Sequence, residues 1–222
     1  MRIRITFSKT GSLIYIGNLD LHTLWERAAR RAGLPLAYSH GFHPQPRIQF
    51  AAPLPLGFSS HCEVLEMRLT EDVDLRTLPA RLDAALPEGV RVLAVESANE
   101  GEPSLPARVL WAEYSIELTT DVKGTELQHA VEELLSASTV SRERRGRAYD
   151  LRRLVEDIRL LEPSADGEIR LHMRLTAQEG ATGRPDEVLD ALGVPRDMAH
   201  IERTALGFRP FPVELARIDT AT

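Results

Sequence analysis

The stretch from Met1 to Phe7 alternates polar and apolar residues, so residues 2 to 8 read as a strand. The period then lengthens. Leu21, Leu24, Trp25, Ala28 and Ala32 follow the spacing of one buried helical stripe, which leaves Glu26, Arg27, Arg30 and Arg31 on other faces; Asn18 is the predicted N-cap and Gly33 the stop. Arg47 to Ala52 and Glu63 to Leu69 are predicted strands, the second alternating only imperfectly, so its buried face stays open. Asp74 to Leu86 is predicted as a helix on the stripe Leu75, Leu78, Leu82 and Leu86, and Val90 to Glu96 as a strand. This order, β-α-β-β-α-β, is the split βαβ or ferredoxin-like plan.

Ser97 to Pro106, with its glycine, prolines and acids, reads as a linker. The same order then repeats. Val109 to Thr119 is a predicted strand, Gly124 to Ser136 a helix, and Thr139 to Ala148 a polar, arginine-rich strand. Glu156 to Leu161 and Glu168 to Ala177 are strands around a turn at Ser164 to Gly167, Pro185 to Leu192 a helix, and His200 to Leu206 the last strand. The expectation is an α+β protein of two tandem ferredoxin-like domains, residues 1–98 and 107–222. Each has its own four-stranded antiparallel sheet, and the two join near residues 97–108.

The 222 residues, 43% hydrophobic and 27% charged, are those of an ordinary globular protein with no membrane span, and the start offers no signal-peptide block. A cytoplasmic location is expected. Cys62 is the lone cysteine, which excludes an internal disulfide and a four-cysteine cluster held by this chain alone. The net charge of -6 is unevenly spread: residues 1–50 carry seven basic and two acidic residues, a local +5, leaving -11 for the rest. A second basic island lies around Arg142, Arg144, Arg145, Arg147, Arg152 and Arg153. Arginine outnumbers lysine 25 to 2, which is compatible with composition alone as well as with an anion-binding face. On the second reading the RNA-binding candidates are Lys9, Arg27, Arg30, Arg31, Arg47, Arg142, Arg144, Arg145 and Arg147.

Tyr38 to Arg47 fits no repeating structure and concentrates chemistry: His40, Phe42, His43, Gln45 and Arg47 stand on a loop with Gly41 free to take positive φ and Pro44 and Pro46 stiffening it. His40 and His43 are the catalytic candidates, as general base or acid with Arg47 or Lys9 beside a developing anion. The alternative is architectural, with both rings and Phe42 fastening the loop to a strand edge. His-x-x-His with His61 and Cys62 has no fixed geometry, so no metal is expected. Pro53, Leu54, Pro55 and Leu56 form an apolar stretch whose prolines bar interior pairing, and are the partner-binding candidates. Gly207 to Pro212 has the same character and is expected to pack as a tail across the domain interface. Phe7 to Ser12 has the composition of an anion-holding loop without the P-loop spacing.

Phe7-Ser8-Lys9-Thr10-Gly11, Ser39 to Arg47, Pro53-Leu54-Pro55-Leu56-Gly57 and Gly183-Arg184-Pro185 together resemble the radical-SAM-linked protein family. These are bacterial proteins encoded beside, or fused to, a cobalamin-binding radical SAM protein. The resemblance implies a radical SAM partner that carries the iron-sulfur cluster, S-adenosylmethionine and cobalamin, with no cofactor on this chain. The tandem layout, with histidines after the first helix, is also similar to the CRISPR repeat-RNA processing endonucleases, although the C-terminus lacks their long glycine-rich loop. The combined expectation is an accessory or substrate-presenting subunit, without catalytic activity of its own, acting with a radical SAM enzyme on structured RNA. The alternatives are a metal-independent endoribonuclease using His40 or His43, and a docking scaffold that binds no RNA.

Overall fold

The computed structural model describes residues 1–119, 123–162 and 168–211. In it the first alternating stretch is strand β1 (Arg2–Lys9), whose Ile3, Ile5 and Phe7 are fully buried. Then come α1 (Asn18–Arg31), β2 (Ile48–Phe50), β3 (Ser59–Arg68), α2 (Leu78–Asp83) and β4 (Val90–Ala98). Gly17, not Asn18, is the N-cap of α1. The second helix is shorter than its stripe suggested because Pro79 has no N–H to donate and fits only the first helical turn. β1 lies between β3 and β4, and β2 pairs the far edge of β3, all antiparallel.

After a short helix α3 (Leu105–Arg108) the chain continues with β5 (Val109–Leu118), α4 (Gly124–Ser136), β6 (Ser141–Arg144), β7 (Arg147–Asp150), β8 (Val155–Leu161), β9 (Ile169–Gln178), β10 (Ala181–Thr182), α5 (Pro185–Ala191) and β11 (Ala199–Phe208). β5 lies between β9 and β11, with β8 outside β9. The turn expected at Ser164 to Gly167 falls outside the described residues. The arginine-rich stretch is not one strand. It folds back at Arg145 and Gly146, whose φ values of 53° and 75° are those of a type I′ turn, so β6 and β7 form a separate hairpin.

The expectation of two separate sheets is wrong. β11 runs parallel to β3, with Glu202 opposite Ser59 and Arg203 opposite Ser60, and this contact merges both sets into one mostly antiparallel nine-stranded sheet. The cause is the brevity of β2, which covers only Met67 to Leu65 of β3. Beyond it Pro53 and Pro55 cannot pair, and the unfilled edge at Ser59 and Ser60 is taken by β11. Two large apolar clusters form, one of α1 and α2 against β1 and β3, the other of α4 and α5 against β5, β9 and β11, and a third, small one joins Ala51 and Val64 to Leu105 and Val109. Trp25 closes on Phe7 edge to face in the first, at 4.9 Å between centroids.

The expected linker is pinned to the sheet. Arg2 Nη1 donates to the carbonyls of Asn99 (3.1 Å) and Glu102 (2.9 Å), and its Nη2 to that of Pro103 (3.1 Å). Arg4 Nη2 donates to the Glu102 carboxylate at 2.6 Å, and Arg108 pairs with the same group. Burial pushes the Glu102 carboxyl up, but the hydrogen bond from Arg4 and the charges of Arg4 and Arg108 hold it below the usual glutamate range. A folded-state value below the unfolded one stabilises above the unfolded pKa of about 4.3 and is lost as pH falls through the folded value. The hydrogen-exchange protection factors of residues 99–108, taken relative to the intrinsic rate at each pH, are therefore expected to fall on acidification before those of the sheet. Glu102→Gln should abolish that step; a step that persists in the variant assigns it to another carboxylate.

Candidate functional site

Backbone bonds close the base of the histidine loop on β3. Ala37 N–H donates to Arg68 O, Arg47 N–H to Ala37 O and Ser39 N–H to Gln45 O, each at 2.8 Å, while Gln45 N–H donates to Ser39 Oγ at 2.9 Å. Pro46 is buried opposite Tyr38. Gly41 takes φ 126°, and beyond the clamp the tip stands in solvent: His40 and His43 are exposed and Phe42 completely so. Neither imidazole has a hydrogen-bond partner among the described residues. The rings and Phe42 therefore do not fasten the loop; the backbone and Pro46 do. His40, His43, His61 and Cys62 are not brought together, and among the described residues no three His, Cys, Asp or Glu side chains are placed to hold a metal ion.

The basic candidates fall into different environments. Lys9 is 1% exposed, and its Nζ donates to Ile14 O and Ile16 O at 3.3 and 3.2 Å. It is an internal clasp and no anion site, because it shares the alternation of Ile3, Ile5 and Phe7 and so faces the core. Burial, with Arg203 adding to it against Glu63, lowers its pKa. Arg27 and Arg31 are exposed on α1 and form no ion pair among the described residues. Arg30 between them pairs with Glu26 at 2.8 Å and donates to Tyr38 Oη at 2.9 Å, tying the helix to the loop base. Arg47 turns to the opposite face of the sheet, where it lines a cleft of about 330 Å3 with Arg2, Gln49, Glu66 and Arg68. Arg144 pairs with Glu187, and Arg142 Nε lies 3.7 Å from Asp190. One continuous anion-binding face is not what the fold builds.

The apolar segment is also redistributed. Leu54, 7% exposed, and Phe58, 1% exposed, insert into the second core cluster, with Phe58 edge-on to Tyr114 at 6.4 Å. They join the halves of the chain. Pro53 and Leu56 stay exposed, and Leu56 lines a cleft with Tyr15, itself 72% exposed. Beneath the segment lies a pair that sequence reasoning missed, Glu63 and Arg203, joined by Arg203 Nε to Glu63 Oε1 at 2.8 Å with Arg203 Nη2 on Ala52 O at 3.0 Å. Pro53, Pro55, Gly183, Arg184 and Pro185 rim a cleft of about 200 Å3 that reaches Tyr114 and Arg203. At Gly183 a Cβ would lie 2.9 Å from Leu154 O, so only glycine fits there. Burial raises the Cys62 thiol to about 11, which keeps it protonated and unreactive near neutral pH.

Residues 2–185 match the model of a family described as "Uncharacterized protein conserved in bacteria (DUF2344)". The chain belongs to that family. The DUF2344 match takes in the clamped loop, the proline segment and Gly183 to Pro185. No curated protein matches the sequence. Among solved structures, the chain is similar to one from the archaeal box H/ACA sRNP Nop10–Cbf5 complex, at 14% identity and TM-score 0.45, and to one from a Cbf5–Nop10–Gar1 complex, at 13% and 0.48. Each comparison covers 92% of this chain and 48% of the other, so the chain spans about half the length of those it resembles. No helix among the described residues is long and apolar enough to cross a membrane.

Proposed function

We propose that this DUF2344 chain is an accessory subunit that presents its clamped loop to a radical SAM protein and brings folded RNA to it. The exposure of Phe42 carries this reading. An aromatic ring left wholly in water, between two unbonded imidazoles and on a loop whose base is held by backbone bonds, contributes nothing to folding and is pre-organised for contact. The motif resemblance supplies the kind of partner, which would carry the iron-sulfur cluster, S-adenosylmethionine and cobalamin. Arg27 and Arg31, without an ion pair among the described residues and on the helix that Arg30 ties to Tyr38, supply charge for the RNA backbone next to the loop. The placement of β1 between β3 and β4 and of β5 between β9 and β11 supports reading the two halves as variants of a ferredoxin-like plan fused edge to edge. An endoribonuclease reading is weaker, because among the described residues neither His40 nor His43 has a hydrogen-bond partner that would orient its ring.

The test is co-purification of the tagged chain with its radical SAM neighbour and with RNA, for the wild type and for Phe42→Ala, His40→Ala and His43→Ala. Exposed side chains without partners should change stability by no more than about 0.5 kcal/mol. Partner capture should fall in the Phe42 variant most of all. Full capture in all three variants would remove the loop from the interface. Capture of the protein without RNA would leave a docking scaffold.

A further inference from the structure

The β6–β7 hairpin lies outside the main sheet, and its register sorts its side chains by charge. Arg144 stands opposite Arg147 and Arg142 opposite Tyr149. Residues directly opposite, and residues two apart, share a face, so these four project together while Glu143 and Ala148 project the other way. The arginine face borders an open cleft of about 570 Å3 whose other wall is the β9–β10 turn at Gly180 and Ala181. Glu187 neutralises Arg144, which also stacks on Tyr149. Arg147 and Arg145 have no acidic partner among the described residues and are exposed; Arg153, also exposed, lines the same cleft and pairs there with Asp150 at 3.3 Å.

The tip adds an independent observation. Arg145 is the one non-glycine residue among those described with positive φ, and it occupies the first central position of the type I′ turn. That position favours Asn, Asp or Gly, since a larger side chain is strained there. Asparagine would suit the backbone better. What it lacks is the guanidinium, and strain held at an exposed tip points to a use for that group.

We propose that the hairpin is an arm that sets Arg145 and Arg147 against the phosphodiester backbone of a folded RNA, with the cleft beside Arg147 and Arg153 receiving a phosphate. This rests on the RNA reading above but uses a surface separate from α1 and the histidine loop. Planar guanidinium groups suit phosphate oxygens, and a two-stranded ribbon is narrow enough to follow a backbone. The experiment titrates the full chain with a synthetic RNA stem-loop across a salt series, comparing the wild type with the Arg145→Asn/Arg147→Gln double variant. The variant should melt no lower than the wild type, because Asn relieves the turn. Its log–log salt slope should be shallower by about 2, each lost phosphate contact being worth about 0.9. An unchanged slope with RNA still bound overturns the arm and leaves RNA binding to α1. Equal binding of polyglutamate with the same dependence on both arginines also overturns it, in favour of an acidic protein partner. A wild type that fails to bind the stem-loop at low salt overturns the arm together with the RNA reading.

Discussion

Glu63→Ala is expected to remove about 3–5 kcal/mol of folding stability, the cost of leaving one member of a buried ion pair without the other. The side chains of Glu63 and Arg203 are only 3% and 2% exposed, and they meet where β3 and β11 join the two parts of the sheet. Burial opposes the charge on Arg203, yet Glu63 and then Tyr114 more than offset it, so the guanidinium's pKa stays raised and it cannot escape by losing its proton. Without Glu63 the cation remains, left to Ala52 O and the Tyr114 hydroxyl, neither of which carries a compensating charge near neutral pH. Since whole domains are stable by about 5–15 kcal/mol, the loss is a large fraction of the total. Glu63→Leu with Arg203→Met should recover most of it, because an apolar pair of similar volume avoids the desolvation cost. Urea unfolding measures both. A loss below about 1 kcal/mol in the single variant would mean that water reaches the pair and that it behaves as a surface contact.

Much of the local structure was legible because period reports burial directly. The alternation of β1, the stripe of α1 and the helix from Gly124 to Ser136 all appear where the pattern puts them. Lys9 was legible too: two residues past Phe7 on the same face, it had to be buried, but its charge suggested the surface. The hairpin turn was hidden for a related reason, since arginine at the first position masks a signal that Asn-Gly would have made plain. The seam could not be read at all. Glu63 and Arg203 are 140 residues apart, and nothing local says that an acid in one strand and a base in another share a low-dielectric contact.

The histidine loop was visible as a stiff loop because glycine and proline act on the backbone wherever they stand. Whether its rings were fasteners or were displayed depended on tertiary contacts, and among the described residues neither imidazole has a hydrogen-bond partner. The proline segment misled in the opposite direction. Apolar residues without period fit a partner surface or a core equally well, and Leu54 and Phe58 went to the core of the other half while Leu56 stayed out.

That crossing leads to the second large effect. Phe58→Ala is expected to cost about 3–5 kcal/mol, the usual range for an aromatic deleted from a packed core. The ring is 1% exposed, packs edge-on to Tyr114 and lies under the Arg196 guanidinium, 5.5 Å from its centroid. Phe58 belongs by sequence to the connection between β2 and β3, so its cavity opens in the second core while its backbone continues into the strand that supports the first. The two tryptophans divide the same way, with Trp25 in the first core and Trp111 on β5 under Arg174. In a Trp111→Phe background, fluorescence reports the first half alone. If the seam makes the halves one cooperative unit, Phe58→Ala shifts the Trp25 transition as far as it shifts the loss of total secondary structure by circular dichroism. A Trp25 transition that stays at its original denaturant concentration, while the circular dichroism curve splits in two, would show that the halves unfold independently and that β3 and β11 merely touch.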